Sequence, residues 1–393
     1  MAPSENLKSI VIVGGGTAGW LTAGIIAAEH SANGSESDGL IDIKVTLVES
    51  PDISTIGVGE GTWPSMRSTL QKMGISETDL IRDCDASFKQ GTLFKSWKTG
   101  GNDAYTHPFT PPHSYASTNL APQWQKFSNE VSFAEAVSSQ NALMFKDLAP
   151  KQISTPEYAF HTNYGYHLDA GKFAELLRKH CVEKLGVTHL KANVVSVKST
   201  ADGDIASLKT DSHGDISGDL FVDCSGSRAL LLGEHFGVPF CSKGQFLFND
   251  TALASQIPYV NDDDPIASST LSTAQTAGWI WDIGLPTRRG IGHVYSSGHT
   301  TEDRAAQELL AYITATVSPE AAASASIRKV PFSPGHRAKF WHKNCVAVGM
   351  SAGFIEPLEA SALVLVELSA AMIAEQLPAN RQIMDAVAKR FND

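Results

Sequence analysis

Ser9-Ile-Val-Ile-Val-Gly-Gly-Gly-Thr-Ala-Gly-Trp20 is the stretch that decides the fold. Ile10 to Val13 is an unbroken apolar run of β-branched residues, too short for a helix, and it reads as a buried parallel strand. Gly14, Gly16 and Gly19 then give G-x-G-x-x-G where the chain leaves that strand and enters a helical segment, Leu21 to His30. Gly14 permits the tight turn, Gly16 lets backbone approach a pyrophosphate, and Gly19 lets helix pack on strand. The helix N-terminus faces the phosphate charge. Ile43-Lys-Val-Thr-Leu-Val48 alternates like a second strand and ends at Glu49, the acid expected to bind a ribose. Glu49 lies further on than the usual ~20 residues, because Ser31 to Gly39 reads as an inserted polar loop.

The composition of the 393-residue chain is that of a globular protein with a large core. A net charge of −11 argues against nucleic acid or an anionic membrane surface as the main partner and favours a small-molecule enzyme. No apolar run approaches the ~18 residues of a membrane span. Met1-Ala-Pro-Ser-Glu-Asn lacks the basic start of a signal peptide, so the expectation is a mature cytoplasmic N-terminus. Cys84, Cys181, Cys224, Cys241 and Cys345 are scattered without a C-x-x-C pair, which points to reduced core residues and no metal site.

Working outward, Ile56-Gly-Val-Gly-Glu-Gly-Thr-Trp-Pro64 is a second glycine-dense segment, suited to backbone lying against a flat ligand. Helices are expected at Ser65 to Met73, with Pro64 at the start, and at Glu77 to Asp83. Ala86 to Trp97 alternates as a strand, with Phe88 and Lys89 on opposite faces. Lys98 to Tyr158, rich in Pro, Ser, His and aromatics, reads as a long substrate-side excursion with little regular sheet. Tyr166 to His180 reads as a helix with Phe173, Leu176 and Leu177 on one face. Strands at Asn193 to Val197, Ile205 to Thr210 and Leu220 to Val222 read as a small meander running into the turn Asp223-Cys-Ser-Gly-Ser227, which faces the cofactor again. A second sheet is expected between about Phe246 and Phe332. Trp279 and Trp281 share a face there, and core packing accounts for them. A buried strand ends at Gly349, and Ala360 to Ala374 forms a helix whose N-terminus suits a reduced flavin or a halide.

Taken together, Gly14-Gly-Gly-Thr-Ala-Gly-Trp20, Gly57-Val-Gly-Glu60 before Thr62 and Pro64, Phe88-Lys89, Asp223-Cys-Ser-Gly226, Trp279-Ile-Trp281 and Glu356-Pro-Leu-Glu359 resemble the flavin-dependent halogenases of the tryptophan halogenase family. The resemblance implies an α/β fold: a Rossmann-like, three-layer FAD-binding dinucleotide fold interleaved with a substrate-side β-sheet domain. FAD-binding parts are expected at about 1–85, 160–235 and 335–393, and substrate-side parts at about 86–159 and 236–334. The implied cofactor is FAD, used as FADH2 and delivered by a separate flavin reductase, with chloride or bromide as co-substrate.

In that chemistry reduced flavin and dioxygen give a flavin hydroperoxide, a halide attacks it, and hypohalous acid travels inside the protein to an electron-rich aromatic. By motif Lys89 is the lysine that holds or carries the oxidant, and Glu359 the glutamate that orients it or takes up the ring proton. Gly14, Gly16, Thr17, Ala18, Gly19, Glu49, Val194, Gly349 and Met350 are the implied FAD contacts. Ser361 and Ala362 are the implied halide site, and His107 and Phe109 flank the aromatic substrate. A homodimer is compatible with this reading.

The chain departs from the family pattern at three places. Gly284 follows Ile283 where the family has proline, Ala360-Ser361-Ala362 stands where it has Ser-Thr-Gly, and the sequence stops at Asp393 where family members usually continue. The last point leaves a truncated or minimal halogenase with an open pocket, or a substrate other than tryptophan. A flavin monooxygenase that hydroxylates and a flavin-binding protein without turnover stay open as alternatives.

Overall fold

The computed structural model describes residues 6–30, 43–53, 59–356 and 358–393. The polar loop Ser31 to Gly39, Ile56 to Val58 of the second glycine segment, and Pro357 lie outside them. Ser9–Val13 is the centre of a six-stranded sheet. It pairs in parallel with Lys44–Glu49 on one side and Leu220–Asp223 on the other, and Thr188–Lys191 and Cys345–Ala347 extend the sheet in parallel. Helix Thr17–His30 lies on one face, packed between Ala170–Glu183 and Ser361–Glu375. Trp20, Leu21, Ile26 and Ala27 are all buried there, as suits a helix that is apolar nearly all round. Each large apolar side chain enclosed in this way contributes about 1.5–3 kcal/mol. The other face is covered by the antiparallel strands Val194–Ser199, Ile205–Thr210 and Asp215–Ser217. Three layers result, with the glycine turn at the sheet's C-terminal edge.

The second large sheet has seven strands, in the order Arg328–Pro331, Thr251–Pro258, Arg288–Tyr295, Gly278–Gly284, Thr270–Gln275, Gly91–Lys95 and Ala104–Pro108. Every pairing is antiparallel except that of Thr270–Gln275 with Gly91–Lys95. Ala305, Leu309 and Ile313 of helix Glu302–Thr316 close one face over Leu253, Ile280 and Ile291. The opposite face, carrying Ala252, Trp279 and Val294, turns toward the first sheet.

A small sheet stitches the two together. Its middle strand, Gly165–Asp169, pairs antiparallel with Gly59–Gly61 on one side and Ser87–Lys89 on the other. Asp169 caps helix Ala170–Glu183 through the amide of Lys172 at 3.0 Å and accepts from Arg288 Nη2 at 2.7 Å, which ties the stitch to the seven-stranded sheet.

Four expectations need correction. Tyr166 to Asp169 is strand and only the remainder of Tyr166–His180 is helix, because Gly165 to Leu168 are buried between two flanking strands and Asp169 is the cap. Leu220–Asp223 belongs to the main parallel sheet, not to the meander, since all four residues are buried beside Ser9–Val13. The strand expected over Ala86 to Trp97 breaks at Gln90, whose amide bonds to Ser268 O at 2.7 Å, so that Lys89 and Gly91 fall in different sheets. Trp279 and Trp281 do share a face, but that face lines a cavity as well as a core cluster.

Candidate active site

At the end of Ser9–Val13 the backbone of Gly14 takes φ +123°, and a Cβ there would stand 2.2 Å from Cys224 O. Its amide donates to Val48 O at 2.9 Å. A Cβ on Gly19 would meet Gly14 O at 1.8 Å, so this glycine allows helix and turn to touch. Gly16 differs: nothing lies within 4 Å of its would-be Cβ. Its open side faces a cavity of about 1130 Å³ between the two large sheets.

Gly14, Gly16, Thr17, Ala18, Glu49, Val194, Gly349, Met350 and Ala362 all stand on the wall of this cavity. Gly19 and Ser361 are not among its lining residues. Glu49 sits at the C-terminal end of its strand, and His189 Nε2 lies 2.7 Å from its Oε2. Ala362 is in the first turn of helix Ser361–Glu375, which starts from Ala360 in the left-handed region (φ +55°) without a side-chain cap. Room beside Gly16, helix amides at the turn and an acid at the next strand end are the features an adenine dinucleotide needs, and they fit FAD.

Lys89, Glu359, His107 and Phe109 form a second cluster outside the cavity. Lys89 is 1% exposed, and its Nζ lies 5.4 Å from the centroid of the Phe109 ring. Burial pushes the Lys89 pKa down to about 8, against the opposite pull of the Glu359 carboxylate. His107 Nδ1 is 3.2 Å from Glu359 Oε1, and this hydrogen bond raises the His107 pKa. Trp63 Nε1 donates to Glu359 O at 2.7 Å and holds that backbone in place. The buried carboxylate of Glu77 gathers Lys151 Nζ at 2.7 Å, Tyr164 OH at 2.5 Å and Tyr166 OH at 2.7 Å, anchoring the excursion from which the site's outer wall is built.

The partition between the two compartments is thin. Gly61 lines the cavity, and a Cβ on it would stand 3.0 Å from Ala360 Cβ and 3.1 Å from Lys89 Nζ. Thr270 lines the cavity beside it. Sequence reasoning missed several members of this partition. Glu60, quoted above only as part of a motif, stands on the cavity wall with its pKa pushed up to about 7 by burial. Trp63, Thr270 and His167 carried no signal of their own. Alternation in Tyr166-His-Leu-Asp169 before a capping aspartate could have placed His167 on a strand. Among the described residues no group of three or more His, Cys, Asp or Glu could hold a metal ion, and no helix is long and apolar enough to cross a membrane.

A family model described as tryptophan halogenase matches residues 9–393. The chain is 32% identical over 406 residues to tryptophan 7-halogenase RebH of Lentzea aerocolonigenes, covering 99% of this chain and 73% of that protein. To tryptophan 6-halogenase SttH of Streptomyces toxytricini it is 34% identical over 397 residues, covering 96% of this chain and 73% of that protein. The solved structure of a tryptophan halogenase from Shewanella frigidimarina NCIMB 400 matches with a TM-score of 0.93 at 54% identity, over 98% of this chain and 74% of that one. With the glycine turn, the two interleaved sheets and these matches in agreement, the chain belongs to the tryptophan halogenase family of flavin-dependent halogenases.

Proposed function

We propose that the chain uses reduced FAD and dioxygen to oxidise chloride or bromide in the large cavity, and that the resulting hypohalous acid acts on an electron-rich, indolic aromatic at Lys89. The observation that carries this reading is the thin partition: Lys89 Nζ abuts the cavity-lining Gly61 from behind, on the side of Phe109 and Glu359. When bound, the reduced flavin would give two electrons to dioxygen and the halide the other two, which yields hypohalous acid and water.

The chain's own residues do the rest. Gly16 and the first amides of helix Thr17–His30 hold the pyrophosphate, and Glu49, steered by His189, holds the ribose. Val194, Gly349 and Met350 complete the flavin wall. The uncapped first turn at Ser361 and Ala362 offers amides and a positive helix end to the halide. Lys89, buried and with its pKa near 8, donates a hydrogen bond to the oxidant from a fixed position, so that a small diffusible reagent acts at one carbon. Glu359, oriented by His107 through Oε1, takes up the proton that the arene loses. Phe109 and His107 flank the ring. Residues 1–85, 160–235 and 335–393 form the flavin part and 86–159 and 236–334 the substrate part. The strands of the parallel sheet all fall in the former and those of the seven-stranded sheet in the latter, which supports this division.

A separate reductase supplies the reduced flavin, since the sequence holds no second glycine turn of comparable quality. One observation favours hydroxylation instead: Ser361, the hydroxyl-bearing residue of the altered halide segment, is not on the cavity wall. The test incubates the protein with reduced FAD, dioxygen and an indole and phenol panel, with halide present or omitted, and reads products by mass spectrometry. Halogenated product that requires halide supports the proposal. Hydroxylated product independent of halide replaces it.

A further inference from the structure

His167 is a fully buried titratable residue to which the proposed chemistry gives no part. It lies in the middle strand of the small stitching sheet, paired with Gly61 on one side and Ser87 on the other. Paired residues on neighbouring strands share a face, and so do residues two apart on one strand. His167, Lys89 and the side of Gly61 on which a Cβ would project, 3.1 Å from Lys89 Nζ, therefore share one face of the sheet. The ring's Nε2 is 2.8 Å from Oγ1 of Thr270, which lines the flavin cavity. Its Nδ1 is buried and has no hydrogen-bond partner among the described residues.

A core position that asked only for a flat ring would be filled as well by phenylalanine, without an unpaired nitrogen. Burial and the neighbouring Lys89 charge hold the imidazole neutral. Its tautomer is set by Thr270. If Nε2–H donates to Oγ1, Nδ1 is a bare acceptor; if the hydroxyl donates to Nε2, Nδ1–H is an unpaired donor. Hypohalous acid carries both a hydroxyl proton and oxygen lone pairs, so it satisfies Nδ1 in either case. A halide ion could pair only with the second.

We propose that Nδ1 of His167 is a hydrogen-bonding way station that receives hypohalous acid as it passes Thr270 and Gly61 and turns it toward Lys89 Nζ. The assignment rests on the two-compartment reading above and makes His167 a positioning residue. No bond to the ring forms or breaks.

The test measures three quantities on one sample: flavin reoxidation, halogenated arene, and oxidant escaping to bulk, the last trapped by a soluble β-diketone halogen acceptor. His167→Phe should lower arene product per flavin reoxidised roughly ten- to hundredfold, with escaped oxidant rising to match. His167→Asn, whose amide falls near the position of Nδ1, should recover more product than His167→Gln, whose amide falls near Nε2. A merely structural histidine would lower all three quantities together and show no such preference. Native product per flavin in His167→Phe overturns the assignment. If that variant does not fold, Thr270→Val decides by the same ratio: a fall of several-fold upholds the way station and a native ratio overturns it. Failure of the underlying reading looks different, because the native protein would then reoxidise flavin in the presence of halide and yield neither halogenated arene nor trapped oxidant.

Discussion

Lys89→Met is expected to stabilise the protein at neutral pH while it stops halogenation. Lys89 is 1% exposed, and its pKa falls from the ordinary 10.5 to about 8 in the fold. In the unfolded chain the same group keeps the ordinary value. A gap of about 2.5 pH units, at ~1.36 kcal/mol per unit, means that the charged form costs the folded state on the order of 3 kcal/mol. The unfolded state binds more protons between pH 8 and 10.5, so stability rises with pH across that window, and the cost is felt in full below pH 8. Methionine keeps an unbranched stem of similar volume and has no charge to bury. Melts of both proteins at pH 7, 9 and 10.5 should show the variant more stable at pH 7 and the two curves converging toward pH 10.5. Flavin reoxidation should continue and arene product should disappear. A variant less stable than the native protein at pH 7, or a native stability flat between pH 8 and 10.5, would show that the ammonium is fully compensated and refute the burial argument.

Gly16→Val should leave the melting temperature of the flavin-free protein unchanged and remove flavin binding, because nothing in the protein lies within 4 Å of the new Cβ. Gly14→Ala should instead destabilise the fold itself, by ~1–3 kcal/mol for the φ of +123° and more for the collision with Cys224 O, which a thermal melt reads directly. NADH without an added flavin reductase should give no turnover, so NADH consumption coupled to product by the isolated protein would contradict the single-nucleotide reading. The His107 ring should titrate above 6.5 in an NMR pH series and move back toward it in Glu359→Gln, since the hydrogen bond to Glu359 Oε1 is what raises it. An unmoved titration would mean that the two side chains do not share that bond.

The parts of the fold that were legible in the sequence are those whose signals are local. Ile10 to Val13 could be read because a parallel strand buried on both faces is apolar without interruption. The helix Ser65–Met73 was marked by Pro64 at its start, and in the structure Gly74 at φ +78° ends it while Ser76 caps Glu77–Asp83. Tyr166 to Asp169 was misread because its partners, Gly59–Gly61 and Ser87–Lys89, lie roughly eighty to a hundred positions earlier in the chain, and a strand of five residues before a helix looks like the helix's own first turns. Lys89 was illegible for the same reason. Nothing in Ser87-Phe-Lys-Gln90 says that this lysine is enclosed; resemblance raised it, and burial by a distant strand explains it.

The stitching sheet also shows why the site tolerates so little change in register. Slipping the strand of Lys89 by one residue against Gly165 would turn the ammonium to the face now held by Phe88, against Tyr164 and away from Gly61. The sheet is locked against that slip from the other side. Thr62 N donates to Tyr166 O and Tyr166 N to Thr62 Oγ1, both at 2.8 Å, while a Cβ on Gly165 would stand 2.7 Å from Thr62 O. A residue other than glycine at 165 would push the middle strand away from Gly61 and open the partition between the cavity and Lys89. The same backbone contact that makes the sheet tight therefore keeps the cavity and Lys89 a single glycine apart.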